Sequence, residues 1–328
     1  MITISRTIIA ILLGFISSIF LGFVVVPLFK KYKLGQSVSH MLSERHLAKD
    51  GTPTMGGVIF LVPTVILATC LFANYNIKPS LNFLIIVLTF ILYGLSGFID
   101  DFLKIKYRNN KGISIMTKFS FELIIALLFF FLFIISGNST TISLGLFKID
   151  LKYLYGVFIL FVLTGTTNAV NITDGLDGLC AGISIIVLLS YGIISWHSTY
   201  IIGYDQIAVF CFILVGSLLG FLFFNFYPAK IFMGDLGSLS LGGAIAAIAI
   251  VLKKEFSLVI LGIVFIIETL SSLIQIISIK LFNRKVFLKS PLHHHFEELG
   301  YSESEIIKIF YLMASISSLI ALVIYIWR

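Results

Sequence analysis

Charge is what this sequence lacks. Only 12% of its 328 residues are Asp, Glu, Lys or Arg, and 59% are hydrophobic. A soluble domain averages about 25% and roughly 45–50%. A soluble fold must cover its core with polar side chains, and too few are present, so lipid has to be the solvent for most of the surface. Cysteine is scarce too. Cys70, Cys180 and Cys211 lie inside apolar runs, in no CxxC pair and no metal-ligand spacing, which excludes a thiol metal cluster or a disulfide framework. They read as small buried hydrophobes. Linkers of low complexity, internal repeats and a polar stretch long enough for a soluble domain are also missing, so 1–328 reads as one integral membrane domain.

The net charge of +7 does not point to nucleic acid. The basic residues sit in short segments between apolar runs, as loops facing an anionic membrane surface do. A spanning helix needs about 20 mostly apolar residues. Ten such stretches are present, over 5–29, 56–75, 82–99, 118–136, 152–170, 178–196, 204–223, 238–252, 256–280 and 305–327. The first is longer than a signal-peptide core and no small-residue cleavage site follows it, so it reads as a retained span. Lys253, Lys254 and Glu255 divide the eighth from the ninth, because three charges at mid-bilayer would be costly and so mark a tight turn. Sixteen of the 23 Lys and Arg residues fall on one side of this arrangement, which makes that side cytoplasmic. The expected fold is an all-α polytopic membrane protein of about ten transmembrane helices, with both termini outside.

The acids then sort by side. Asp100, Asp101, Asp174, Asp177 and Asp235 fall in cytoplasmic loops or at their helix junctions. Asp100-Asp101 with Lys104 ends the third span. Adjacent carboxylates repel and suit a divalent cation or a general base, and Lys104 offsets charge or holds a phosphate. In Asn168-Ala-Val-Asn171-Ile-Thr-Asp174-Gly-Leu-Asp177-Gly-Leu, a spacing of three puts Asn171, Asp174 and Asp177 near one helical face. Gly175 and Gly178 would let backbone approach a ligand, and oxygen ligands at this density suit Mg²⁺. In Asn225-Phe-Tyr-Pro228-Ala-Lys-Ile-Phe232-Met-Gly234-Asp235, Pro228 breaks the helix and glycines loosen the chain around Asp235, as in a phosphate- or metal-facing turn. Pro291-Leu-His293-His294-His295-Phe-Glu297 offers three consecutive imidazoles. These cannot all chelate one metal in regular backbone, and contact with phosphate is favoured over zinc. Lys49-Asp-Gly51-Thr-Pro53-Thr54-Met-Gly56-Gly57 precedes the second span. It lacks the GK[ST] of a Walker A loop, and its backbone N–H groups are expected to cradle an anion at that helix start. Glu268, with Gln275 nearby, and Glu122 are intramembrane acids, each either functional or a structural hydrogen-bond partner.

Together these motifs resemble the polyprenyl-phosphate N-acetylhexosamine-1-phosphate transferase superfamily over nearly the whole chain. The aspartate pair and the NxxDGxDG segment carry the superfamily signal. Thr-Pro-Thr-Met-Gly-Gly and His-His-His-Phe-Glu point to its muramoyl-pentapeptide branch. The resemblance implies a catalytic domain over 1–328 that transfers phospho-MurNAc-pentapeptide from UDP-MurNAc-pentapeptide to undecaprenyl phosphate, giving lipid I and UMP in peptidoglycan synthesis. It implies Mg²⁺, held by Asp235, and a multi-pass protein of the bacterial inner membrane. It implies a role for Asp100 in deprotonating or orienting the lipid phosphate, with Asp101 positioning the cluster. Gly175, Leu176, Asp177, Asn225 and Phe232 match the uridine pocket. Lys49, Thr54, Asn171, Asp174, Lys104, Lys118, His293 and His294 match polar positions around the diphosphate and sugar, and His295, Glu268 and Gln275 are further candidates beside them. Membrane lipid is the expected surrounding partner, and the sequence allows a homodimer. Two other readings stay open: a sister enzyme that uses UDP-GlcNAc, and a secondary transporter with the acids as an ion path.

Overall fold

The computed structural model describes residues 4–32, 34–35, 51–74, 78–107, 112–144 and 147–326. The helices are α1 (Ile4–Lys31), α2 (Val58–Asn74), α3 (Leu81–Tyr107), α4 (Ile115–Ile135), α5 (Leu154–Thr173), α6 (Leu179–His197), α7 (Tyr204–Asn225), α8 (Gly234–Val251), α9 (Ser257–Leu261), α10 (Ile263–Phe282), α11 (Leu292–Glu298) and α12 (Glu303–Ile326). Among the described residues nine helices are long and apolar enough to cross a bilayer. The 17-residue α2 is a shorter apolar helix that, at 1.5 Å per residue, reaches about 25 Å, against about 30 Å of hydrocarbon, where the sequence predicts a tenth span. The protein is thus an all-α polytopic membrane protein. The expected outer loop 137–151 folds into a two-stranded antiparallel hairpin, β1 (Thr141–Leu144) against β2 (Phe147–Asp150).

Helix α8 is the central post. Leu236 through Val251 are all buried, and the run of Gly, Ala and Ser leaves room for its neighbours. Without a hydrophobic drive between helices in lipid, close backbone approach is what holds such a bundle. A Cβ on Gly97 of α3 would lie 2.1 Å from the carbonyl oxygen of Asp235 at the start of α8. Peripheral helices turn large apolar side chains outward. Phe20 is 73% exposed on α1 and Phe161 75% exposed on α5, as expected where hydrocarbon replaces water.

Several helix ends differ from those expected. Helix α3 runs through Asp100 and Asp101 to Tyr107, and α8 begins at Gly234, so Asp100, Asp101 and Asp235 are helical and not in loops. Hydropathy marks where the bilayer stops, whereas these helices continue beyond it, supported by the Asp100–Lys104 pair one turn apart (2.5 Å) and by lysines in the last turn of α3. Helix α4 starts at Ile115 because Ser114 caps it, its hydroxyl accepting from the Thr117 amide. The expected ninth span is two helices that meet at Gly262, where the weakest ordinary helix former sits. The 281–304 loop contains α11. Cys70 is exposed, contrary to the buried reading, whereas Cys180 and Cys211 are buried.

At the turn after α8, Lys253 and Glu255 are drawn into the protein. Lys253 Nζ donates to Glu255 Oε1 (2.6 Å) and Tyr155 Oη (2.7 Å), and the Tyr155 hydroxyl donates to the same carboxylate. The ammonium also lies over the Tyr155 ring. This is how the charges expected to mark a turn are tolerated there.

Candidate active site

The site forms at one end of the bundle, where the ends of α3 and α5 meet the start of α8. Gly234 has φ +75°, a conformation that suits glycine, and a Cβ there would meet Asp101 Oδ2. It delivers Asp235 into the first turn of α8, where a carboxylate is favoured by the helix dipole. Asp101 is fully buried. Its Oδ2 accepts from the Leu236 amide at 3.0 Å, so it satisfies one of the free N–H groups at that helix start.

Asp235 is held from two sides. Asn171 Nδ2 donates to its Oδ1 (2.7 Å) and to Ser238 Oγ (2.8 Å). Lys104 Nζ contacts its Oδ2 at 2.8 Å and Asp100 Oδ2 at 2.5 Å. The ammonium therefore bridges two carboxylates from different helices. Asp100 Oδ1 accepts from the Ile113 amide (2.7 Å). Asp174 follows α5 and is half-buried. Burial, and then the carboxylates of Asp235, Asp101 and Asp177, push its carboxyl well above the usual carboxylate range, against a hydrogen bond from the Gly234 backbone.

The chain leaves helical conformation after Thr173, so Asn171, Asp174 and Asp177 do not share one face. Asn171 turns to Asp235, whereas Asp177 is buried and its Oδ2 accepts from the Ala229 amide at 2.9 Å. Asn225 joins the same turn to the segment before α8. Its Oδ1 accepts from Gly178 N (3.1 Å) and its Nδ2 donates to Ile231 O (3.0 Å). Leu176 is buried beside it and Phe232 is half-buried. Gly175 lies against the histidine helix. A Cβ there would lie 2.3 Å from His293 Nε2. Gly178 is the αL residue before α6.

The three imidazoles have different partners, although the His293 and His294 rings lie 4.3 Å apart. Buried Glu268 on α10 accepts from the His293 amide (3.2 Å) and faces His293 Nδ1 at 2.9 Å. A carboxylate in that position fixes Nδ1 as the protonated nitrogen. It leaves Nε2, buried and with no protein partner, aimed at Gly175. His294 Nδ1 pairs with Glu297 Oε2 at 2.6 Å. Burial holds the His294 imidazole below its ordinary value, against the opposing pull of Glu297. His295 points away from the cluster, accepting from Leu288 N and packing on the Phe287 ring.

Gln275 accepts from the amides of Val286 and Phe287 and donates to Phe287 O, so it clamps the returning chain. Lys118 lies in the first turn of α4, four residues before Glu122, which accepts from Asn168 Nδ2. Thr54 is buried against Gly234. The anion cradle expected before the second span is not there. The Thr54, Gly56 and Gly57 amides donate to Leu34, Phe232 and Met233 carbonyls, so residues 54–57 are laced to the chain just past the end of α1 and to the irregular stretch before α8. Lys49 lies outside the described residues. Ser238, Glu303 and Tyr311, which also touch these elements, carry no signal of their own in the sequence.

An apolar groove of about 350 Å³ runs between α5 and α9–α10, lined by Phe158, Phe161, Val162, Phe265, Ile266 and Leu270 among others.

The fold and site define the class: residues 83–253 match the model of Glycosyl transferase family 4, and this is a membrane-embedded transferase. Residues 49–61 match the phospho-N-acetylmuramoyl-pentapeptide-transferase signature 1. The chain is 42% identical over 322 residues to the phospho-N-acetylmuramoyl-pentapeptide-transferase of Geobacillus thermodenitrificans, covering 98% of both chains. It is 43% identical over 304 residues to that of Staphylococcus aureus, covering 91% of this chain and 93% of the relative. The chain belongs to the phospho-N-acetylmuramoyl-pentapeptide-transferase family.

Proposed function

We propose that the protein transfers phospho-MurNAc-pentapeptide from UDP-MurNAc-pentapeptide to undecaprenyl phosphate, forming lipid I and releasing UMP, at a cytoplasm-facing site in the bacterial plasma membrane. The observation that carries this reading is the convergence of Asp100, Lys104, Asn171, Asp174 and Asp235, from three distant parts of the chain, at one end of an apolar bundle. One substrate is water-soluble and the other carries its phosphate at headgroup depth, so the reaction needs such a boundary. A transporter would place its acids near mid-bilayer.

In the reaction, an oxygen of the lipid phosphate attacks the phosphorus that bears the sugar. The bond to the UMP oxygen breaks as the new diphosphate forms. Little covalent chemistry falls to the protein, so positioning and charge neutralisation carry catalysis. Lys104, already between Asp100 and Asp235, balances charge where the phosphates meet. Asp100, with one oxygen on Ile113 N and the other on Lys104, suits orienting the acceptor phosphate or taking its proton, and direct attack by that phosphate is the favoured route. Asp101 holds the start of α8 and so aims Asp235. Gly175, Leu176, Asp177, Asn225 and Phe232 frame the uridine. Asp174, Lys118, His293 and His294 serve the diphosphate and sugar, and the groove between α5 and α10 takes the isoprenoid chain.

The donor set fits Mg²⁺ with Asp235 as its protein ligand. The oxygens around Asp235 are hard donors, and among the described residues no three His, Cys, Asp or Glu side chains are grouped to hold a metal by themselves. That matches an ion completed by substrate phosphates and water. When bound, Mg²⁺ polarises the diphosphate and stabilises the departing UMP. The test is UMP release from UDP-MurNAc-pentapeptide by the purified protein. Release should need both undecaprenyl phosphate and Mg²⁺, and UDP-GlcNAc should not replace the donor. Turnover of UDP-GlcNAc alone would reassign the donor, and a stoichiometric burst of UMP without acceptor would replace direct attack by a covalent intermediate.

A further inference from the structure

We propose that Glu303 and Tyr311 of α12 are positioning residues for the nucleotide end of the donor, an inference that rests on reading residues 175–177 as part of the uridine pocket. Glu303 Oε1 accepts from the Asp177 amide at 2.7 Å, and the Tyr311 hydroxyl donates to the Gly178 carbonyl at 2.7 Å. The two side chains come from more than two turns apart on α12 and converge on one peptide pair. The Tyr311 ring packs against Gly182 of α6, where any side chain would collide with it. From the other side, Asn225 accepts from the Gly178 amide and Asp177 from Ala229. The turn is thus braced between the end of α7 and the start of α12, and α12 supplies two of the four bonds.

The same end of α12 also bears on the histidine helix. Phe296 of α11 packs edge-on against Phe310 (6.0 Å between centroids) and against Tyr301 (5.7 Å). Since Gly175 abuts His293, one rigid helix end sets both the peptide planes of the nucleotide turn and their distance from His293. A base read by a turn is sensitive to the rotation of those planes, and a backbone N–H held by a carboxylate is among the stronger local restraints. The effect belongs in affinity for the nucleotide and not in the chemical step, because the bonds that Glu303 and Tyr311 make to this turn fall on the backbone of Asp177 and Gly178.

The experiment measures kcat, KM for UDP-MurNAc-pentapeptide and the inhibition constant of UMP on the full-length protein in detergent, with melting temperature as a control. Glu303→Ala should raise KM and the UMP constant about tenfold or more, with kcat within about twofold. Glu303→Gln keeps an acceptor oxygen for the Asp177 amide and should return both near the wild-type values. Tyr311→Phe keeps the ring and loses one neutral hydrogen bond, for a rise of roughly threefold, and it decides the matter if Glu303→Ala does not fold. Asn225→Ala serves as the reference. If it weakens UMP while the Glu303 and Tyr311 variants leave KM and the UMP constant unchanged, the bracing role is wrong and the uridine pocket stands. If none of the three weakens UMP, the pocket itself is misplaced. A fall in kcat without a change in the UMP constant would also overturn the proposal.

Discussion

Gly97→Ala should separate folding from catalysis. The added methyl would stand 2.1 Å from the Asp235 carbonyl oxygen and 2.5 Å from the Leu236 nitrogen, both backbone atoms that cannot rotate away. A carbon needs about 3.3 Å from such an oxygen, so α3 and the start of α8 must part by about 1.2 Å. Taken along the bonds that join them, that shift carries the 3.0 Å Asp101–Leu236 contact and the 2.8 Å Lys104–Asp235 contact to about 4 Å, beyond hydrogen-bonding range. Misplacement of about 1 Å in a positioned site costs on the order of 100-fold in rate. Stability should change far less. Overpacking costs roughly 1–3 kcal/mol, and replacing glycine by alanine inside a helix returns about 1 kcal/mol. The assay is UMP release alongside a melting curve in the same detergent. Gly94→Ala, one turn earlier on α3, is the matched control, because its methyl meets chiefly the tip of the Leu61 side chain, which can move. A Gly97→Ala protein that turns over within a few-fold of wild type would show that the α3–α8 approach does not set the carboxylate geometry.

Three other perturbations probe the remaining buried contacts. Glu268→Ala removes the acceptor for the His293 amide and Nδ1, leaving buried donors unpaired at about 1–3 kcal/mol each; kcat should drop about tenfold or more, and an unchanged kcat would mean that His293 does not depend on that carboxylate. Tyr155→Phe keeps the ring beside Lys253 but loses the hydrogen bond to Glu255, so it should destabilise by roughly 1.5–3 kcal/mol with KM for UDP-MurNAc-pentapeptide unaltered; an effect on that KM would tie this cluster to the donor site. His294 is held below its ordinary value of about 6.5, so the unfolded chain binds more protons just below that pH. Stability should then be flat above about pH 6.5 and fall as the pH drops through it, and His294→Gln should flatten that fall; identical pH–melting profiles would refute the assignment.

Much of this architecture could be read from apolar runs alone, because about 20 uninterrupted apolar residues have few other destinations than a bilayer. Nine of the ten expected spans and the turn at Lys253–Glu255 were legible for that reason. The helix ends were not, since hydropathy reports the edge of the hydrocarbon and says nothing of where hydrogen bonding stops. Asp100 and Asp101 therefore looked like loop residues while sitting two turns inside α3. The site was legible as a set of acids on one side and not as a set of contacts. Thr54, Gly56 and Gly57 have the composition of an anion cradle, yet the carbonyls at 34, 232 and 233 claim their amides, a long-range pairing that no local pattern announces. Gln275 and His295 sit among candidate polar residues but face the returning chain. Gly175 leaves room for an imidazole from the far end of the sequence, a neighbour that no local pattern announces. The groups that brace the nucleotide turn, Glu303 and Tyr311, belong to a helix that otherwise reads as an ordinary span.

Helix α10 stands largely clear of the bundle, yet it grips the histidine segment at two heights, Glu268 on His293 and Gln275 on the Phe287 backbone. Two pins on one shaft leave no freedom to slide or swivel. Whatever tilt the surrounding acyl chains impose on that shaft, the imidazole beside Gly175 must follow through the same angle.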